Sequence, residues 1–520
     1  MESKKSKQKF IVAGLLLTIL MSSMDNTIVA TAMGTIVGDL GGLDKFIWVT
    51  SAYMVAEMAG MPIFGKLSDM FGRKRFFIMG LVIFMVGSIL CGTAQSIEQL
   101  SIYRAIQGIG GGALIPITFT IMFDIFPPEK RGKMGGLFGA VFGLSSVFGP
   151  LLGAYITDYI SWHWIFYINL PLGILSLVLI SLNYTESLQH QKQKIDWLGA
   201  ITLVGAVVCL MFALEFGGNT YAWDSVNIIS LFSGFFVLFV LFIFAERRAA
   251  EPVISFSMFK DRIFAASTIL GLLYGVAFIV GSVYIPIFVQ GVTGGTATNS
   301  GLILLPMMLG VVVSAQTGAI GAAKFGYRNV MLVFALIFVT GIFLLSTVSA
   351  DTTRATITWY MIIVGLGTGA SFSVLNMAAI HNIGPEQRGS ANSTVSFVRQ
   401  LGMTVGITVY GIIQRNVFSD KLKEAFHGAS NTFNGANSDP RALLSEQARA
   451  SIPEPVLNKI IHALANSIGY TFSWALIPAV LVVIFVFLLT NDRLAGGQGA
   501  RGKKEITGSK EVEPNSEIKG

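Results

Sequence analysis

An all-α protein threaded fourteen times through a membrane is what this sequence predicts, and three observations predict it. Fourteen apolar runs recur along the chain, each near the roughly 20 residues that a helix needs to cross a bilayer core. Of 520 residues, 53% are hydrophobic and only 12% are charged, whereas a soluble domain carries about 25% charge. The short loops between runs alternate between basic and nearly uncharged, which is a topology signal.

The runs fall near 10–32, 46–65, 76–94, 99–122, 134–157, 164–183, 196–216, 226–245, 263–289, 299–322, 329–349, 356–380, 392–414 and 468–490. Residues 1–9 are basic and lead straight into the first run, with no small-residue cleavage site before a soluble domain, so a retained signal-anchor helix is expected. Lys66, Arg73, Lys74 and Arg75 follow the second run, and Lys130, Arg131 and Lys133 follow the fourth. Lys192 and Lys194, Arg247 and Arg248, Lys324 and Arg328, then Arg388 continue the same side. The opposite loops 93–97, 217–225 and 291–299 hold no Lys or Arg. This asymmetry puts both termini in the cytoplasm, and an even number of spans also requires them to share a side. The net charge of +7 is therefore a matter of topology and of the bilayer surface; no nucleic-acid partner is expected. The 57 glycines suit helices that pack closely in lipid. Cys91 and Cys209, the two cysteines, both lie in apolar runs and read as packing residues rather than a disulfide.

A faint repeat organises the chain. Phe71-Gly72-Arg73-Lys74 follows the second run and Phe325-Gly326-Tyr327-Arg328 the tenth, so the spans divide six, two, six, a parallel-repeat construction common in transporters. The expected parts are a cytoplasmic N-terminus (1–9), a six-helix bundle (10–183), an inserted helix pair (195–246), a second six-helix bundle (263–490) and a disordered cytoplasmic tail (491–520). An extracellular loop (415–467) interrupts the second bundle. That loop holds several basic residues, but long loops translocate largely regardless of charge. Within it, 420–426 and 441–450 have the composition of short surface helices.

The most informative local segment is Gly65-Lys66-Leu67-Ser68-Asp69-Met70-Phe71-Gly72-Arg73-Lys74-Arg75. Its glycines allow a tight reversal, Asp69 can face a helix N-terminus, and its cations hold the loop at an anionic leaflet. This segment resembles the signature that the major facilitator superfamily carries between its second and third helices. Asp25-Asn26-Thr27-Ile28-Val29-Ala30, Arg104-Ala105-Ile106-Gln107-Gly108-Ile109-Gly110 and Gly149-Pro150-Leu151-Leu152-Gly153 resemble the first-, fourth- and fifth-helix motifs of its drug:proton antiporters. Trp162-His163-Trp164-Ile165-Phe166-Tyr167-Ile168-Asn169-Leu170-Pro171-Leu172-Gly173 is similar to a stretch of the fourteen-helix, drug:proton antiporter-2 branch. The chain departs from those patterns at His163, where Arg is usual, and at Ala154, where a second Gly is usual. Ala323 stands where Asp69 would align in the second half.

The resemblance implies a major facilitator fold and proton-coupled efflux of lipophilic drugs by alternating access, with Gly65, Asp69, Gly72 and Arg73 in a gating loop. It also implies a part for Arg104 in proton coupling. Charges inside spans are costly and mark function by default. Asp25 lies about 15 residues into its helix, ~22 Å from the cytoplasmic side, and Arg104 lies ~8–9 Å in from the other side. In a core of about 30 Å these depths coincide, so the two can pair directly or through water. Glu57 lies near mid-span in the second helix. Desolvation and a nearby cation move a carboxyl group's proton affinity in opposite senses, which is what a proton carrier needs; a structural ion pair or helix cap is the plainer alternative for each acid. Two acids within the spans favour cationic substrates. Gly149, Pro150 and Gly153 read as a hinge favouring export or as an ordinary packed kink.

Other polar residues carry less information. Glu215 and Asp124 sit near span ends, where interfacial water makes charge cheap. Gln107, Gln316, Asn376 and Arg399 either line a cavity or bond between helices. The segment 497–504 mimics a phosphate loop but lacks its final Ser/Thr and its strand–loop–helix setting, and Gly365-Leu366-Gly367-Thr368-Gly369 lies inside an apolar run as packing. Neither a metal-ligand cluster nor a nucleophile–base constellation is present, so neither catalysis nor a cofactor is expected, only a proton gradient. A monomer in the plasma membrane is the expected form, with small lipophilic molecules, protons and lipid as partners. The alternatives are a same-fold carrier of another solute or lipid, in either direction, and a membrane sensor or scaffold that binds without moving its ligand.

Overall fold

In a computed structural model, residues 2–41, 47–186, 195–218, 220–295, 297–426 and 453–492 are described. Among them, apart from an isolated bridge between Gly217 and Tyr221, the regular structure is helical. In chain order the helices are α1 (Glu2–Leu40), α2 (Ile47–Phe71), α3 (Arg73–Gly92), α4 (Ile97–Ile125), α5 (Pro128–Tyr159), α6 (Trp164–Tyr167) and α7 (Asn169–Asn183). There follow α8 (Trp197–Phe216), α9 (Val226–Arg248), α10 (Arg262–Gly291), α11 (Ala297–Phe325) and α12 (Tyr327–Ser346). The last are α13 (Arg354–Ala379), α14 (Arg388–Ala425) and α15 (Glu454–Val486). Among the described residues, 13 stretches are long and apolar enough to cross a membrane; α2, at 25 residues, is a further helix of spanning length.

Helices α1 to α7 pack chiefly on one another, with α4 wedged against α2 and α3, and α1 against α5 and α7. Helices α10 to α15 form a second group, in which α10 lies against α14 and α15 and α13 against α11 and α12. The pair α8 and α9 leans on α2 and α14. Contacts between the two groups run mainly through α5 with α11 and α2 with α14.

Two features differ from the sequence expectation. The sixth run is broken at Ile168 into α6 and α7, because Pro171 has no N–H to give to the Tyr167 carbonyl four residues back. The described parts of the expected loop 415–467 are helical, since α14 runs on to Ala425 and α15 begins at Glu454. Phe418 and Leu422, one turn apart, are buried with Ile460, Ala463 and Leu464 of α15, so an amphipathic pattern continues both helices past the apolar runs. Segment 420–426 is thus the end of α14, not a separate surface helix. Segment 441–450 and residues 493–520 of the tail lie outside the described residues.

Candidate functional site

The first group of helices encloses a network of polar side chains centred on Asp25. Arg104 Nη1 donates to Asp25 Oδ2 at 2.5 Å and to Gln107 Oε1 at 2.7 Å. Gln107 Nε2 (2.8 Å) and Asn169 Nδ2 (2.9 Å) both donate to Asp25 Oδ1, and both also reach Ser88 Oγ, which donates to the Phe166 carbonyl. The Arg104 guanidinium lies 4.0 Å from the Tyr53 ring centroid, a cation–π geometry. Asp25, Ser88, Arg104, Gln107 and Asn169 are all fully buried. Side chains from α1, α3, α4 and α7 therefore surround one carboxylate, and each of its oxygens has donors. A buried ion pair offsets its desolvation only with such additional hydrogen bonds.

Glycines in α4 make this convergence sterically feasible. A Cβ on Gly108 would sit 2.4 Å from the Tyr53 carbonyl oxygen, and one on Gly112 would sit 2.5 Å from that of Glu57. Backbones of α2 and α4 thus touch, which brings Tyr53 over Arg104. Glu57 is buried one turn beyond Tyr53 on α2, near Gly111, whose Cβ would lie 3.8 Å from Glu57 Cγ.

A second network ties the two helix groups together at the end that carries the basic loops. Asp69 accepts from the backbone N–H groups of Gly389 (2.9 Å) and Ser390 (2.8 Å), at the start of α14. This is the helix-facing carboxylate that the sequence allowed for, acting on a helix 320 residues away, where it satisfies first-turn donors and the positive end of the dipole. Arg73 bonds to Asp69 at 3.0 Å, pairs with Asp124 and donates to the Pro385 carbonyl. Arg388 Nη1 is 3.5 Å from Asp124 Oδ1. Gly65 is required by the same contact, for its Cβ would fall 2.0 Å from Ser393 Oγ and 2.8 Å from the Gly389 carbonyl oxygen. Gly72 has φ 114°, in the region that favours glycine, and turns α2 into α3. On the other inter-group seam, Gly136 of α5 meets Gln316 of α11, with 2.5 Å from its Cβ to the Gln316 Cα. Towards the opposite end, Gly34 and Gly38 of α1 and Gly281 of α10 face open space. The groups are clasped at the end that carries the basic loops.

Helix α5 runs unbroken through Pro150. Gly149 packs on α1 with its Cβ 3.1 Å from the Met24 carbonyl oxygen, and Gly153 with its Cβ 2.8 Å from that of Ile28. These contacts begin beside Asp25, so α5 bears directly on the helix that carries the central carboxylate.

The sequence pointed to Asp25, Arg104, Asp69, Arg73, Gly65 and Gly72, and the structure brings them into two networks. Glu57 sits near the first without a central place in it. Asp124 is the clear omission: read as a charge kept cheap by interfacial water, it is bound by Arg73 and Arg388. Asn169, Ser88 and Tyr53 were also missed, because a neutral polar residue in an apolar run has no periodic or charge signature. Asn169 stands in the segment similar to the fourteen-helix branch, the one hint available.

Comparison with known proteins gives the following. Residues 15–407 match the Major Facilitator Superfamily. The chain is 57% identical over 496 residues to Multidrug resistance protein 3 of Bacillus subtilis (strain 168), covering 95% of this chain and 97% of that protein. It is 34% identical over 535 residues to the Multidrug transporter protein MdtP of the same strain, covering 99% of each. Among solved structures, the proton:xylose symporter XylE aligns with a TM-score of 0.63 at 13% identity, over 95% of this chain and 99% of that one. The human organic anion transporter MFSD10 aligns with a TM-score of 0.60 at 14% identity, over 92% and 99%. At such low identity these two speak to the fold alone.

Proposed function

Because this chain belongs to the major facilitator superfamily, a group of transporters rather than enzymes, we propose that it exports lipophilic drugs in exchange for protons. The observation that carries the reading is the sealed Asp25 carboxylate with Arg104, Gln107 and Asn169 as donors. Similarity to two multidrug proteins across nearly the whole chain supports drugs as the substrate class, and two intramembrane acids favour cationic ones. The protein spans the membrane many times; its place is the plasma membrane, with both termini on the cytoplasmic side, and the working unit is a monomer. No cofactor enters the cycle, which runs on the proton gradient.

The mechanism follows from the charges. With Asp25 ionised, the Arg104 guanidinium is neutralised and α1 and α4 are tied. Adding a proton to Asp25 removes that attraction and leaves a buried cation whose desolvation is no longer offset. The network must then rearrange, and the donors that seal the carboxylate must move for a proton to reach it at all. Movement of α1 is felt by α5 through Gly149 and Gly153, and α5 transmits it to α11. Pro150, with its missing hydrogen bond, is where α5 can bend in response. The Asp69–Arg73–Asp124–Arg388 clasp holds the cytoplasmic end shut while the cavity faces outward, and its release turns the cavity inward.

Reconstituted vesicles with an imposed pH gradient test this. A fluorescent lipophilic cation should accumulate against its own gradient, and a protonophore should abolish the effect. Flux that is indifferent to the pH gradient would remove proton exchange; absence of any flux would leave only a binding protein.

A further inference from the structure

The second helix group contains a buried cation that the exchange cycle above does not use. Arg399 of α14 is 7% exposed, and it follows Arg388 by about three turns, roughly 16 Å of helix. That is mid-depth in a core of about 30 Å. Its Nη2 donates to the Ser371 carbonyl at 3.1 Å, its Nε has no partner, and among the described residues no carboxylate pairs with it. The guanidinium carbon lies 4.8 Å from the centroid of the Phe372 ring, and Phe372 meets Phe278 edge-on with centroids 5.9 Å apart. The Ser371 hydroxyl, on the residue whose carbonyl Arg399 holds, is also buried without a partner.

An intramembrane guanidinium without a counter-ion is costly and calls for a role. Close packing fixes it in place: a Cβ on Gly275 would lie 2.4 Å from the Arg399 carbonyl oxygen, so α10 holds that part of α14 rigidly. Nε and the Ser371 hydroxyl are two donors left without acceptors on residues in contact, and the Phe372 ring lies against the guanidinium. A planar carboxylate accepts from two donors at once, and guanidinium is the side chain whose fork matches it. An aromatic body attached to that carboxylate would lie against Phe372 and Phe278.

We propose that Arg399, with Ser371 and Phe372, receives the carboxylate of aromatic zwitterionic substrates. This rests on the export reading for its substrate, but it concerns binding and can be tested without flux. The matched probes are rhodamine 110, which carries a free carboxyl group, and rhodamine 123, its methyl ester. Each is titrated by fluorescence polarisation into the purified protein in lipid nanodiscs, without a pH gradient.

The wild type should bind both. In Arg399→Gln the ratio of the two Kd values should shift by about tenfold or more against the carboxylate probe, the size of a lost charge-assisted bond. Arg399→Lys, which keeps the charge but not the fork, should fall between. An unchanged ratio in both variants overturns the proposal, whether the two affinities hold or fall together, and so does a wild type that does not bind rhodamine 110. Should Arg399→Gln not fold, Arg399→Lys and Ser371→Ala carry the same ratio test with smaller expected shifts. Gradient-independent flux alongside a shifted ratio would sink proton exchange and leave this site standing; the converse result would sink only this site.

Discussion

The two helix groups treat buried charge in opposite ways. In the first, Arg104 is matched by Asp25, and Arg73 by Asp69 and Asp124. In the second, Arg399 lies over a phenyl ring with only a backbone carbonyl as acceptor. The loops that connect α2 to α3 and α11 to α12 repeat the contrast. Gly72 and Gly326 both have positive φ, 114° and 86°, so the backbone turn is shared. With those glycines superposed, Ala319 falls on Gly65, Ala323 on Asp69 and Tyr327 on Arg73. Tyr327 is buried and its hydroxyl is 3.1 Å from His381 Nδ1, a neutral contact within its own group, whereas Arg73 reaches across to Pro385. Shared backbone geometry carries divergent chemistry: charge that must be neutralised, and so can be switched, is concentrated in the first group.

The sharpest way to break that contrast is Asp25→Asn, which puts Arg104 in the condition of Arg399. Removing one partner of a buried pair costs about 3–5 kcal/mol. Gradient-driven export in vesicles should be abolished, and the melting temperature in detergent should fall. Undiminished export would end the case for Asp25 as proton carrier.

Next in size is Gly65→Leu, which drives a side chain into Ser393 and the Gly389 carbonyl. Spin labels at Arg75→Cys and Gln387→Cys, in a Cys209→Ser background, should report a longer distance and a several-fold loss of export. Ala319→Leu, its counterpart, should leave that distance unchanged. An equal response to both would erase the distinction between the loops.

Gln107→Ala removes one donor from Asp25 and an acceptor from Arg104, each worth about 1–3 kcal/mol in a buried setting. Since Arg104 and Asn169 still hold the carboxylate, export should drop a few-fold without uncoupling, as measured by the pH-gradient dependence of the remaining flux.

The smallest effect is expected at the shared turn. Gly72→Ala should destabilise by about 1 kcal/mol, since alanine is strained where φ is positive, and Gly326→Ala by more, because its Cβ would also fall 2.7 Å from the Asn491 carbonyl oxygen. Thermal unfolding should show the larger loss for Gly326→Ala, while only Gly72→Ala alters the spin-label distance.

Much of this was legible in the residues, and the reasons are specific. Asp25 and Arg104 stand out because ionisable groups in apolar runs are rare, and counting residues from opposite membrane faces places them at one depth. Gly72 could be read as a turn because it separates two runs beside a basic cluster. Asp124 was misread because distance from a span end says nothing about which cation will be folded against it. The extent of α14 was misjudged for a related reason: hydropathy ends where the bilayer ends, but a helix continues wherever an apolar stripe such as Phe418 and Leu422 finds a partner.

Composition and run length alone determined that this chain lives in a membrane as a bundle of helices, since a backbone in lipid must satisfy its own hydrogen bonds. Charge placement in the loops predicts which ends share a side. Tertiary packing decided which polar groups meet: that four helices converge on Asp25, that Asp69 caps α14, and that Arg399 is left without an acid. Hydrogen bonds and ion pairs act over about 3 Å, a range that positions along a chain do not encode until helices are laid against one another.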